Sequence, residues 1–167
     1  MGLVDDYMTD IRPKVSDGVF NFLNTADRKL RQYIEKEAER TVYSYEATPE
    51  AEEQRRYQIG NDDALYTSVD GDENISRITI LNMTRPHDPA NWGSRYITDP
   101  VETGEKAFNQ DAPGPRPFMQ YALYGYLDSG EADNDLQDAL VGMGFDATVI
   151  PSGQYSADAE NVDILPF

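Results

Sequence analysis

Pro113-Gly114-Pro115-Arg116-Pro117-Phe118-Met119 is the stretch from which the fold of this chain is worked outward. Each proline holds φ at about −65° and pushes the residue before it towards extended geometry, so the chain has one rigid path here. Pro117 suits the first turn of a helix, where a missing N–H costs nothing. Beyond it, Phe118, Ala122 and Tyr126 recur at four-residue intervals with Met119 and Leu123 beside them, the spacing of one apolar helix face. Upstream, Val101-Glu102 reads as a short strand. The stretch is therefore predicted to be a corner that seats a C-terminal helix on a sheet. A helix-initiating loop in any soluble domain has the same composition.

Working back to the start, Leu3, Val4, Tyr7, Met8 and Ile11 have the spacing of a short amphipathic helix, which Pro13 is expected to stop. Ser16 is a candidate cap for a turn carrying Val19, Phe20 and Leu23. Asn24 or Thr25 then caps a longer helix running to about Tyr45. Its stripe is Ala26, Leu30, Tyr33, Ile34, Ala38 and Val42, and Arg28, Arg31, Glu35, Lys36 and Glu39 mark its wet side. Attractive pairs (Asp27–Arg31, Arg31–Glu35) and repulsive ones (Glu35–Glu39, Lys36–Arg40) offset each other, so the apolar stripe must carry the stability.

An acidic run at Glu50, Glu52 and Glu53 precedes Arg55-Arg56-Tyr57. That Arg pair suits either local ion pairs with those acids or a partner's carboxylates, and Tyr57-x-Ile59 suggests a segment pressed onto the domain. Gly60-Asn61-Asp62-Asp63 is a turn cluster. Leu65 to Val69 and Ile75 to Met83 read as two strands of a hairpin turned at Asp70-Gly71-Asp72. Ile78 and Ile80 share one face of the second strand, with Ile75 and Leu81 on the other. A loop around Trp92, a short strand at Tyr96-Ile97-Thr98, and a second C-terminal helix with Leu136, Ala139 and Leu140 follow. That helix is expected to end at Gly142 or Gly144. Residues 146–167 read as a tail.

The 167 residues suffice for one ordinary domain with extensions, and a hydrophobic fraction of 39% argues against wholesale disorder. No apolar run is long enough to span a bilayer, and the first residues carry no secretory pattern. Without cysteine there is no disulfide or thiolate chemistry. The formal charge of −17 predicts repulsion of nucleic acid and anionic membranes. Lysine occurs only at Lys14, Lys29, Lys36 and Lys106. That balance fits a protein of a high-salt host and an acidic mesophile protein equally.

Catalytic chemistry finds little support in the sequence. His87 is the sole histidine and sits in a proline-flanked loop, so no histidine pair for a metal exists. No nucleophile elbow or phosphate-binding loop occurs. Asp70, Asp72 and Asn74 alternate as in a calcium loop, but Leu81 stands where the bidentate Glu belongs. The glycosylation sequons at Asn74 and Asn82 are short enough to arise by chance. The expectation is no enzyme, no cofactor and no metal.

One arrangement has a familiar order: the long helix, Arg55-Arg56-Tyr57, the hairpin, Val101-Glu102-Thr103-Gly104, then Gly114-Pro115-Arg116-Pro117-Phe118-Met119 with Ala122-Leu123. It resembles the small tail-completion or head–tail joining proteins of long-tailed phages, the family that includes minor tail protein Z relatives. The likeness covers roughly residues 24–127 and departs from the family in its acidity, its Trp92 loop and its acidic tail.

The resemblance implies an α+β fold, with a long N-terminal helix and a C-terminal helix packed on a small antiparallel sheet and extended terminal arms. The expected organisation is an amphipathic arm over residues 1–13, the domain over 14–145 and an acidic tail over 146–167. The implied function is a structural virion protein of the head–tail interface, in a bacteriophage or an archaeal tailed virus. Its copies would form a ring, a hexamer by family likeness, between the connector or stopper and the tail tube.

The implied motif residues are Arg55, Arg56, Tyr57, Val101, Glu102, Gly104, Arg116, Pro117, Phe118 and Met119. Leu3, Tyr7, Ile11, Ile164, Leu165 and Phe167 are expected to clasp adjacent subunits. DNA would pass without specific binding, no membrane is expected as a partner, and the protein would assemble in the host cytoplasm before joining the virion. Tail completion and tail termination both fit. A different class of function, an acidic binding module or nucleic-acid-mimicking inhibitor of a basic protein, fits the charge alone.

Overall fold

The stripe read in the N-terminal third folds as a single rod. Helix α1 (Arg12–Ala38) is entered through a π-helical turn at Tyr7–Ile11 and left through another at Glu39–Tyr43. This is a computed structural model that describes residues 7–43, 59–71, 76–84, 101–102 and 115–148. Pro13 does not stop a helix. It stands in the first turn of α1, where the absent N–H removes no interior bond, so the rod runs through the expected boundary. Nor do Ser16, Asn24 or Thr25 cap a new helix, since all three lie inside α1; the Asn24 amide donates to the carbonyl of Phe20 at 3.0 Å. Leu23, Ala26, Leu30, Ile34, Ala38 and Val42 are buried along the rod, as their spacing predicts.

Two shorter helices lie against it, α2 (Phe118–Asp128) and α3 (Glu131–Gly142). Between them Gly130 takes φ 76°, a left-handed turn suited to glycine. α3 ends at the first of the two glycines expected to end it. It approaches α1 closely: a Cβ at Gly18 would stand 3.0 Å from the Leu140 side chain and 3.3 Å from that of Met143.

Strands β1 (Leu65–Gly71) and β2 (Ser76–Asn82) form the expected antiparallel hairpin, in register from Leu65 opposite Asn82 to Gly71 opposite Ser76. Asp70 and Gly71 belong to this ladder rather than to the turn, because their partners Arg77 and Ser76 extend it past Val69. Two strands alone are marginal in water, so the pair depends on its packing. Leu65, Thr67 and Val69 alternate towards one face with Asn82, Ile80 and Ile78 opposite them. Leu65 and Ile80 join the core there. At the end of β2 the Asn82 side-chain oxygen accepts from the N–H and hydroxyl of Thr84, and both residues are buried, which leaves no room for a glycan at that sequon.

The core has two parts along α1. One gathers Ile34, Ala38, Val42, Ile59, Leu65, Phe118 and Ala122, and the other gathers Ala26, Leu30, Tyr126 and Ala132. The architecture is mixed α+β, a long helix with two further helices and a small antiparallel sheet. Ile59 is buried, as the reading of its segment required.

Candidate functional site

The corner at Arg116–Met119 is held by residues that precede it by more than a dozen positions. Pro117 is the N-cap of α2 rather than a residue of its first turn, with φ −76° and ψ 63°, and it has no side chain that can cap. The first amides of the helix therefore need an outside acceptor. Glu102 supplies it: its Oε1 accepts the Met119 N–H at 2.7 Å. A carboxylate there is favoured both by the charge-assisted bond and by the positive end of the helix dipole. The Arg116 N–H donates to the Val101 carbonyl at 3.0 Å, fixing the other side of the corner. Beyond these ties, Phe118 and Ala122 are fully buried and Tyr126 nearly so.

The stretches Val101-Glu102 and Arg116–Met119 are thus brought together. Val101 and Glu102, expected as a strand, are helical. A β-branched residue beside a glutamate is too short a signal to fix a local state, and the position is set by contacts with the corner. Arg116 and Pro117 are half-buried, so the corner is a packed joint rather than a projecting loop.

A second polar assembly joins α1 to α2 and α3. The Lys29 Nζ lies 2.8 Å from Asp135 Oδ1 and 3.1 Å from Glu131 Oε2. The Tyr33 hydroxyl donates to Glu131 Oε1 at 3.0 Å, and the Tyr126 hydroxyl donates to Asp135 Oδ2 at 2.9 Å. The two tyrosine rings meet at 5.9 Å between centroids.

The bond to Asp135 raises the Lys29 ammonium above its usual range. The bond from Lys29, then that from Tyr33, holds Glu131 below the usual carboxylate range. Burial first, and the Asp135 bond second, push the Tyr126 phenol up. A lysine kept charged and a phenol kept neutral are poor nucleophile and poor base, so these groups suit joining helices rather than transferring protons.

Arg31, expected on the wet side of its helix, has a side chain that is only 19% exposed. It binds Asp27 at 2.9 Å, Asp62 Oδ1 at 2.8 Å and Thr67 Oγ1 at 2.5 Å, tying α1 to the turn and strand beyond it. That turn is a 3₁₀ segment, Asp62–Ala64, whose N-cap Asn61 accepts from the Asp63 N–H. Gly60 beside it takes φ 92°, and a Cβ there would lie 2.9 Å from that of Ala38. The Tyr43 hydroxyl donates to the Ile59 carbonyl, and burial pushes its pKa up to about 12.

Of the residues expected to clasp neighbours, Ile11 is exposed at the start of the rod, and Tyr7 is described by its backbone in the entering turn. Leu3, Arg55, Arg56, Tyr57, Gly104, Ile164, Leu165 and Phe167 lie outside the described residues, as do His87, Trp92 and the Asp72 and Asn74 positions of the calcium-like pattern. Among the described residues no group of three or more His, Cys, Asp or Glu could hold a metal ion, and no helix is long and apolar enough to cross a membrane. The Lys29 assembly escaped the sequence reading. Its one signal is the spacing of Glu131 and Asp135, four residues apart on one helix face and in want of a cation. The chain matches no family model, no curated protein and no solved structure.

Proposed function

We propose that this chain is a structural protein of the head–tail interface of a tailed virus, of the tail-completion or neck type, working as a ring of identical copies. The observation that carries the reading is the corner. The residues that resemble the family motif, Val101-Glu102 and Arg116-Pro117-Phe118-Met119, act as one unit, with Glu102 capping the helix that Phe118 anchors. The order of long helix, hairpin and C-terminal helix agrees with it. So does the acidity: a conduit gains nothing by holding DNA, and a lining of carboxylates lets a polyanion slide past.

The alternative, an acidic mimic of nucleic acid, needs carboxylates free on one face. Among the described carboxylates Asp27, Glu37, Asp62, Glu131 and Asp135 pair with a lysine or arginine of the same chain, which draws these five away from such a face. The test is electron microscopy of purified protein and of virions labelled with an antibody against it. Closed rings and label at the junction of head and tail are expected. Label confined to the capsid, the distal tail or the unassembled fraction would sink the reading.

A further inference from the structure

We propose that the outward face of the β1–β2 hairpin is the surface by which one copy of this chain meets the next. The partner's identity rests on the ring reading above; the choice of surface rests on the hairpin itself. The register puts Tyr66 opposite Leu81, Ser68 opposite Thr79 and Asp70 opposite Arg77 on the face turned away from α1. Met83 continues that face, held to the hairpin by its N–H bond to the Ala64 carbonyl. Tyr66 is 56% exposed and Met83 41%, and Tyr66 is the most exposed of the large hydrophobic residues described.

Charge chooses the occupant. Two copies that each carry −17 repel, so contact between them is favoured where the local charge is near zero. The outward hairpin face has one acid and one base, Asp70 and Arg77, facing each other, and its other members are uncharged. Tyrosine, methionine and arginine are also the side chains enriched where protein surfaces meet. Several other exposed apolar groups sit beside charge: the Tyr121 ring is covered on one side by the Arg40 guanidinium at 5.7 Å, Phe20 and Val141 stand on helices that also carry Asp17 and Asp138, and Ile11 and Val15 are interleaved with Asp10, Arg12 and Lys14. A basic partner would be recognised by the acidic remainder of the surface and would have no use for this neutral patch. A second copy of the same acidic chain can meet it without that repulsion.

Sedimentation of the full chain across protein concentration, in low and in molar sodium chloride, tests this. Wild type is expected to self-associate, and more tightly in molar salt as the general repulsion is screened. Tyr66→Glu should weaken association by about tenfold or more, while Phe20→Glu, also exposed but on α1, leaves it unchanged. Arg77→Asp should weaken it too, and the exchange of both charges, Asp70→Arg with Arg77→Asp, should restore it. Melting curves show whether each variant keeps its fold, and all four positions are exposed.

A wild type that stays monomeric at every salt concentration overturns the proposal. So does a folded Tyr66→Glu that associates like wild type, or a Phe20→Glu that is weakened as much. If wild type and Tyr66→Glu form the same rings, this surface is wrong and the ring reading stands. If association needs Tyr66 but no label reaches the neck, the surface stands and the neck reading falls.

Discussion

The two halves of the core sit on the same helix yet are held by different physics. Around Phe118 the contacts are apolar: Ile34, Ala38, Val42, Leu65 and Ala122 close round a ring with no measurable exposure. Around Tyr126 the apolar patch of Ala26, Leu30 and Ala132 is smaller, and the fit is completed by hydroxyls and charges at its rim. The first half depends on filled volume. The second depends on geometry, because each hydroxyl must find its carboxylate and each carboxylate its lysine. α1 serves both along its length, with Ala26 and Leu30 in one half, Ile34 and Ala38 in the other, and Tyr33 between them packed against both.

That contrast is tested most strongly at Phe118. Phe118→Ala should destabilise the protein by roughly 3–5 kcal/mol, as emptying a core aromatic site does, measured by chemical denaturation. A loss below about 1 kcal/mol would show that the corner is not core, since ordinary surface changes stay near or below 0.5 kcal/mol. In the other half, Tyr126→Phe keeps the volume and removes one hydrogen bond to a charged acceptor. It should cost roughly 1.5–3 kcal/mol, and if it costs more than Phe118→Ala the division between the halves is false.

The smallest effect is that of pH, and it should separate the halves on the acid side. Glu131 titrates below its unfolded value, so its contribution is present above the ordinary carboxylate range, about pH 4.3, and is lost as pH falls through its lower folded value. The melting temperatures of wild type and Glu131→Gln should differ at neutral pH and converge in acid. A constant gap would remove the Lys29 bond from the account. Lys29 and Tyr126 titrate above their unfolded values, so their share is complete below about pH 10 and declines as pH rises through the folded values. Tyr43, beside the apolar half, declines on the same alkaline side, so only the acid limb is diagnostic.

Local pattern made much of this molecule legible. The stripe of α1, the face of Phe118, Ala122 and Tyr126, and the alternation of the hairpin follow from spacing alone, since each buries one face against a neighbour. The errors arose where a residue has two local meanings. Pro13 ends a helix or begins one, and only the continuation of the rod decides it. Asp70-Gly71 reads as a turn by composition, but the ladder continues through it because Ser76 and Arg77 are there to pair. Val101-Glu102 carried no decisive local signal, and its role comes from a bond across to Met119. The Lys29 assembly is the extreme case: its partners lie more than a hundred residues away, and no window of sequence contains both sides.

The bonds at Val101 and Glu102 also bear on how this chain can be altered. They bring the start and the end of the segment 103–114 to one point and fasten both there. The entropy of closing such a segment grows slowly with its length, by about 0.6 kcal/mol for each doubling. The seat of Phe118 therefore depends more on these two bonds than on the number of positions they span. Val101-Glu102 and Arg116–Met119 act as the jaws of a clip, and the start of α2 is set where the jaws close.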